Sequence, residues 1–170
     1  MVRFTKPRRF PCINTGGVRS ANDMNAGRRL VRFFRSQEGS KLQVSCHPIP
    51  QDSFKEADIV ISCIYRPETN NCWFTSVDVI YLLERLVVTP FTVEEKNRIR
   101  RNLEGFRPTT VSKKSRGSEH FFQQIMDFPV PKPRNIEKDV KVFPWSVLTQ
   151  ALEKIISKYV SAYIQGTRSA

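Results

Sequence analysis

The side chains with the widest chemical repertoire are few and scattered. The two histidines, His47 and His120, lie in no metal-binding helix pattern and in no nucleophile elbow. Cys46, His47, Cys63 and Cys72 offer thiolates and an imidazole suited to Zn²⁺, yet structural zinc sites draw their ligands from close pairs such as C-x₂-C. Here the cysteines stand 17 and 9 residues apart. Cys46 and Cys63 also fall at apolar strand positions, where a thiol packs as a small hydrophobe. Gly16-Gly17 lacks the Lys-Ser/Thr sequel of a phosphate-cradling loop. Glu94 and Glu95 read as helix-start carboxylates facing the dipole. No catalytic, cofactor or metal residue is assigned, and the sequence reads as a non-enzyme that needs no cofactor.

The basic side chains carry more information. Lys96, Arg98, Arg100, Arg101, Arg107, Lys113, Lys114 and Arg116 crowd into 21 residues. Such clusters attract phosphates through charge-assisted hydrogen bonds and counterion release. Glu94 stands four residues before Arg98, which offers that arginine an intrahelical partner. Over the whole chain, 28 Lys and Arg against 16 Asp and Glu give a net charge of +12. By segment, residues 1–35 carry +8, residues 36–91 carry −3, residues 92–116 carry +5 and residues 117–170 carry +2. Two basic blocks therefore flank a mildly acidic middle. This balance speaks of polyanionic partners, not of fold. Lys6-Pro7-Arg8-Arg9 suits a weak nuclear import patch.

Other classes drop out. No stretch approaches the ~18 apolar residues of a membrane span, and Met1–Phe10 has no apolar segment behind it to make a secretory signal. Four cysteines in 170 residues are too sparse for a disulfide scaffold and are expected reduced and intracellular.

The elements that must position these residues follow from periodicity. Residues 1–25 mix Pro, Gly, Asn, Ser and Arg and read as a flexible basic arm. Leu30, Val31, Phe33 and Phe34, with Arg28, Arg29, Arg32 and Arg35, predict a helix closed by Gly39. Strands are predicted over Leu42–Ile49, Asp58–Tyr65 and Cys72–Thr75. Ser76 is the expected N-cap of a buried helix over Val77–Val88. Thr92-Val93-Glu94-Glu95 is a capping box opening a helix that ends at Gly105 as C′. On it Ile99 and Leu103 share a face and Arg101 points away from them. A short helix fits Glu119–Met126 after Ser118. Pro129, Pro131 and Pro133 then impose an extended segment. Trp145–Tyr163 is an amphipathic helix, with Leu148, Leu152, Ile155 and Tyr159 on one stripe. The expected fold is α+β: an N-terminal helix, a small antiparallel sheet of about three strands, and a mainly helical second half closed by a long C-terminal amphipathic helix. One domain covers 26–165, with 166–170 as a disordered tail. The order α-β-β-β-α over 26–88 echoes double-stranded RNA-binding domains, but its second helix is too apolar to offer a basic face.

Three long strings carry a resemblance. Phe91–Pro108 (FTVEEKNRIRRNLEGFRP), Ser76–Leu83 (SVDVIYLL) and Pro131–Trp145 (PKPRNIEKDVKVFPW) resemble blocks of the Medusa-like fungal developmental regulators. Gly27–Gly39 resembles the opening of that shared domain, and the likeness covers about residues 26–165. The resemblance implies a nuclear protein that governs transcription in fungal development and sporulation; it implies no catalytic mechanism. With the basic block, the expectation is DNA binding through 92–116, with other transcription regulators as further partners and neither membrane nor small-molecule substrate. The alternative is a protein-interaction module of the same pathway without direct DNA contact.

Overall fold

The computed structural model describes residues 2–4, 26–39, 41–133 and 136–168. The strands are β1 (Val2–Phe4), β2 (Arg28–Glu38), β3 (Lys41–Ile49), β4 (Ile59–Arg66), β5 (Asn71–Thr75), β6 (Thr109–Ser112) and β7 (Asp139–Pro144). The helices are α1 (Ser76–Val87), α2 (Val93–Leu103), α3 (Glu119–Met126) and α4 (Leu148–Arg168). All seven strands form one sheet in the order β1-β3-β2-β4-β5-β7-β6. Six pair antiparallel, and β1 joins the edge parallel to β3.

This corrects the expected architecture twice. The tract 27–35 is no helix: it opens β2, an inner strand pairing with β3 on one side and β4 on the other. Both faces of β2 are covered at its start, so Arg28, Arg29, Leu30 and Val31 are all buried and the alternation is hidden. A continuous apolar run of this kind does not separate strand from helix by periodicity. The likeness to an RNA-binding α-β-β-β-α order falls with it. The second half is also not mainly helical, because β6 and β7 return to the sheet and β7 lies beside β5. Val140 and Val142 of β7 do alternate, but the prolines before them mask so short a strand. The predicted strands over 42–49, 58–65 and 72–75 match β3, β4 and β5.

The sheet is sandwiched. A large core joins Val31, Phe33, Ile61, Phe74 and Phe143 to α1, α2 and α4 through Leu82, Leu86, Ile99, Leu103, Leu152 and Ile155. A smaller core joins Ile64, Trp73, Val111, Val140 and Val142 to Phe121, Phe122 and Ile125 of α3 and to Phe128. Cap details differ at three helices. Thr75, not Ser76, caps α1 by accepting the Asp78 N–H at 3.1 Å. Helix α2 stops at Leu103 and tightens into a 3₁₀ turn over Glu104–Phe106, so the left-handed residue is Arg107 and not Gly105. Ser118 is the N-cap residue of α3 but makes no side-chain capping bond; its Oγ instead accepts the Ser112 N–H at 3.2 Å.

Of the expected basic arm, only Val2–Phe4 is described, and the import patch at 6–9 and Gly16-Gly17 lie outside the described residues. Helix α4 continues to Arg168; residues 169–170 lie outside. Among the described residues no helix is long and apolar enough to cross a membrane.

Candidate nucleic-acid interface

The local sequence fixes α2 firmly. Thr92 Oγ1 accepts the Glu95 N–H at 3.1 Å, Glu94 and Glu95 occupy the positive end, and Ile99 and Leu103 are buried. Glu95 also accepts a hydrogen bond from the Tyr159 hydroxyl of α4. Desolvation and that carboxylate hold the Tyr159 phenol well above its usual value, so it stays a donor.

Burying Ile99 and Leu103 sends the four cations of α2 in different directions. Lys96 faces α1, its Nζ 3.6 Å from Glu84, and Arg100 lines the same groove while donating to Asn97 Oδ1 at 2.9 Å. Arg98 lies on the opposite side, against the cleft between α2 and α4, 3.8 Å from Glu94. Arg101 stands exposed between them. The acid three residues on, Glu104, is engaged by Lys141 of β7. Asn97 Oδ1 is the acceptor for Arg100.

The rest of the block is divided by β6. Arg107 precedes the strand in a left-handed conformation (φ 54°), and Lys113, Lys114 and Arg116 follow it in the turn before α3. Five residues separate Arg107 from Lys113, six steps that span about 20 Å at a strand's rise. The eight predicted residues therefore do not form one cluster. They form a set at each end of an edge strand, plus two side chains turned into the α1–α2 groove. Arg101, Arg107, Lys113, Lys114 and Arg116 are all exposed, and none has an ion pair or side-chain hydrogen bond among the described residues.

Two cations absent from the predicted set belong beside it. Lys154 of α4 lies over the Phe106 ring at 5.4 Å, and Lys158 donates to Asn102 at 3.3 Å. Their i,i+4 spacing on the polar flank of an amphipathic helix is visible in the sequence. That this flank borders α2 is not.

The other basic tract has a different fate. Arg28 is fully buried, with Nη1 donating to Ser62 Oγ at 3.2 Å and to the Pro131 carbonyl, and Nη2 to the Pro129 carbonyl at 3.0 Å. Its Nε reaches Gln51 at 3.3 Å, and its guanidinium lies 4.7 Å from the Phe128 ring centre. Burial pushes its pKa down to about 10, with Asp78 opposing the shift, so it remains charged at neutral pH. Arg32 pairs with Asp58 at 3.0 Å, and Arg35 donates to the Leu86 carbonyl at 2.7 Å. Arg66 repeats the Arg28 arrangement, donating to the Gly117 carbonyl at 2.8 Å with its guanidinium 4.9 Å from the Phe121 ring centre.

Cys46 and His47 are neighbours on β3 and project to opposite faces. Cys46 is buried in the large core, and burial pushes its thiol up to about 12. His47 stacks on Phe34 with ring centres 4.8 Å apart. Among the described residues no three His, Cys, Asp or Glu side chains converge as a metal requires. Cys63 is likewise buried in the core. Cys72 is disulfide-bonded, which departs from the expectation of four reduced thiols.

Residues 18–156 match the sequence model of a protein family described as a domain of unknown function (DUF7082). No curated protein and no solved structure matches the chain.

Proposed function

The chain belongs to this family of domains of unknown function, and from that premise we propose that it is a nuclear regulator of transcription in fungal development and sporulation that holds duplex DNA through its exposed cations. The pathway and the compartment rest on the resemblance of its long strings to the Medusa-like regulators. The DNA contact rests on one observation: Arg101, Arg107, Lys113, Lys114 and Arg116 are exposed and carry no ion pair among the described residues. A cation already neutralised within the fold gains little from a phosphate, whereas an uncommitted one releases counterions from the duplex. The two sets at the ends of β6 lie about 20 Å apart, roughly six base pairs at 3.4 Å per pair. They would hold phosphates on either side of a groove and fix orientation without reading sequence. Arg101, solvated at the end of α2, is the side chain placed to reach a base edge. The reading assigns no catalysis, cofactor, membrane or small-molecule substrate; other transcription regulators are its further partners.

A second reading, a protein-interaction module of the same pathway, is favoured by the division of the block, since Lys96 and Arg100 line a groove with an apolar floor. Fluorescence anisotropy with a 20-base-pair duplex across a salt series separates the two. Five neutralised phosphates give a log–log slope of roughly −4.5, so affinity falls several-hundred-fold from about 50 to 200 mM salt. A flat response, or no binding to any duplex at low salt, sinks the DNA reading and leaves the module.

A further inference from the structure

The groove between α1 and α2 has a volume of about 530 Å³. Its α1 wall is a stripe at i, i+3, i+4 and i+7: Val77, Ile80, Tyr81 and Glu84. Its α2 wall is Lys96 and Arg100, one turn apart. Beyond this lining, toward the α1–α2 connection, stand two valines, Val88 four residues after Glu84 and Val93 three before Lys96. These two are 65% and 75% exposed, among the most exposed large apolar side chains described.

Val88 is an outlier of a second kind. It caps α1 in the left-handed conformation (φ 56°, ψ 39°), where helices ordinarily place Gly or Asn. A β-branched residue there is strained, and strain of this kind gathers at functional surfaces. The side chain lies in solvent, so the fold gains no burial in return. A valine at this position has packing value only when another molecule covers it.

We propose that this groove receives an amphipathic helix of a partner protein, apolar on one face and acidic on its flanks. The length fits: the stretch from Val77 to Val88 spans about 16 Å, three helical turns, which accepts anchors at i, i+3, i+4 and i+7. The charge fits as well. Glu84 is engaged internally by Lys96 and by the Phe91 N–H at 3.4 Å, and of the remaining rim only Glu56 is acidic, against Arg85 and Arg100. Nucleic acid fits less well, because Val77 and Ile80 offer phosphates no donor and Lys96 is already paired with Glu84. The site is separate from the five cations assigned to DNA, so either assignment can fail alone.

The test uses the full chain and a fluorescein-labelled, stapled 16-residue helix with leucine at i, i+4, i+7 and i+11 and glutamate on the flanks. A matched helix with lysine replacing glutamate is the control. The acidic helix is expected to bind at least tenfold tighter, with amide shift changes at Ile80, Tyr81, Lys96 and Arg100. Val88→Gly should weaken it about tenfold while Tm holds or rises, because glycine relieves the left-handed strain. Val93→Ser, at a solvated first-turn position, should weaken it with Tm unchanged, and Arg101→Ala should leave it unaltered. Equal binding of the two helices, binding of neither, or shifts confined to the α2–α4 cleft would overturn the proposal. Duplex DNA displacing the acidic helix, with the same amides shifted, would assign the groove to nucleic acid instead.

Discussion

Two arginine-rich tracts of similar composition end in opposite places. In β2, Arg28 and Arg29 are buried, Arg32 is paired with Asp58, and Arg35 is tied to a carbonyl of α1. Between Arg101 and Arg116, five cations stand in solvent without an ion pair among the described residues. The first tract opens an inner strand, whose first residues are enclosed on both faces and must be satisfied inside. The second brackets a four-residue edge strand, and its cations lie beyond the strand's ends in solvent. Net charge counts both alike, yet only the second is available to a partner. Arginine suits the inner role because its planar fork bonds several carbonyls while its face lies on a ring.

The largest expected effect breaks or sharpens this comparison from the buried side. Arg28→Met should cost about 3–5 kcal/mol, because it removes a fully buried guanidinium together with its bonds to the buried Ser62 hydroxyl and to the carbonyls of Pro129 and Pro131. Thermal melting should show a fall of roughly 6–20 °C. Melting within 2 °C of the parent would mean that β2's arginines are as dispensable to the fold as the exposed ones.

A pair on α2 gives the intermediate effects. Leu103→Ala should lose about 2–5 kcal/mol, since Leu103 is almost wholly enclosed in the large core. Arg101→Ala, two residues away and solvated, should stay within about 0.5 kcal/mol of the parent. Its effect belongs in the DNA titration, as a salt slope shallower by about 0.9. An Arg101→Ala protein with the parent's slope takes that residue out of the interface.

The smallest effect probes how well β2 is sealed. Cys46 pairs in register with Phe33, and burial raises its thiol pKa to about 12 from the ordinary 9.0. Between those values the unfolded chain loses the proton while the folded chain keeps it. Stability should therefore decline as pH rises through that window. At pH 8, iodoacetamide should alkylate Cys46 far more slowly in the native protein than in urea, read by mass spectrometry. Equal rates would mean that the β2–β3 pair opens freely.

Much of the framework was legible in local sequence. The cap at Thr92, the buried pair Ile99 and Leu103, the strands β3 to β5 and the four helices each rest on residues within one or two turns of one another. The misreadings share a cause. Leu30, Val31, Phe33 and Phe34 predict a helix because a strand covered on both faces loses its alternation. β6 and β7 were missed because four- to six-residue strands beside prolines acquire their identity from the strands they pair with. The basic block is divided for a related reason. Eight cations within 21 residues read as one block, but whether they share a surface depends on a strand laid between them and on a helix 50 residues away.

The sequence by itself determined which residues are charged, where α2 begins and which of its residues must be buried, since capping and helical period act over a few residues. Only the tertiary structure decided that Arg28 is sealed under Phe128, that Lys96 and Arg100 line a groove with α1, and that Arg101 to Arg116 remain free for a partner. A side chain's solvation depends on what packs over it, and in a seven-stranded sheet those neighbours come from distant parts of the chain.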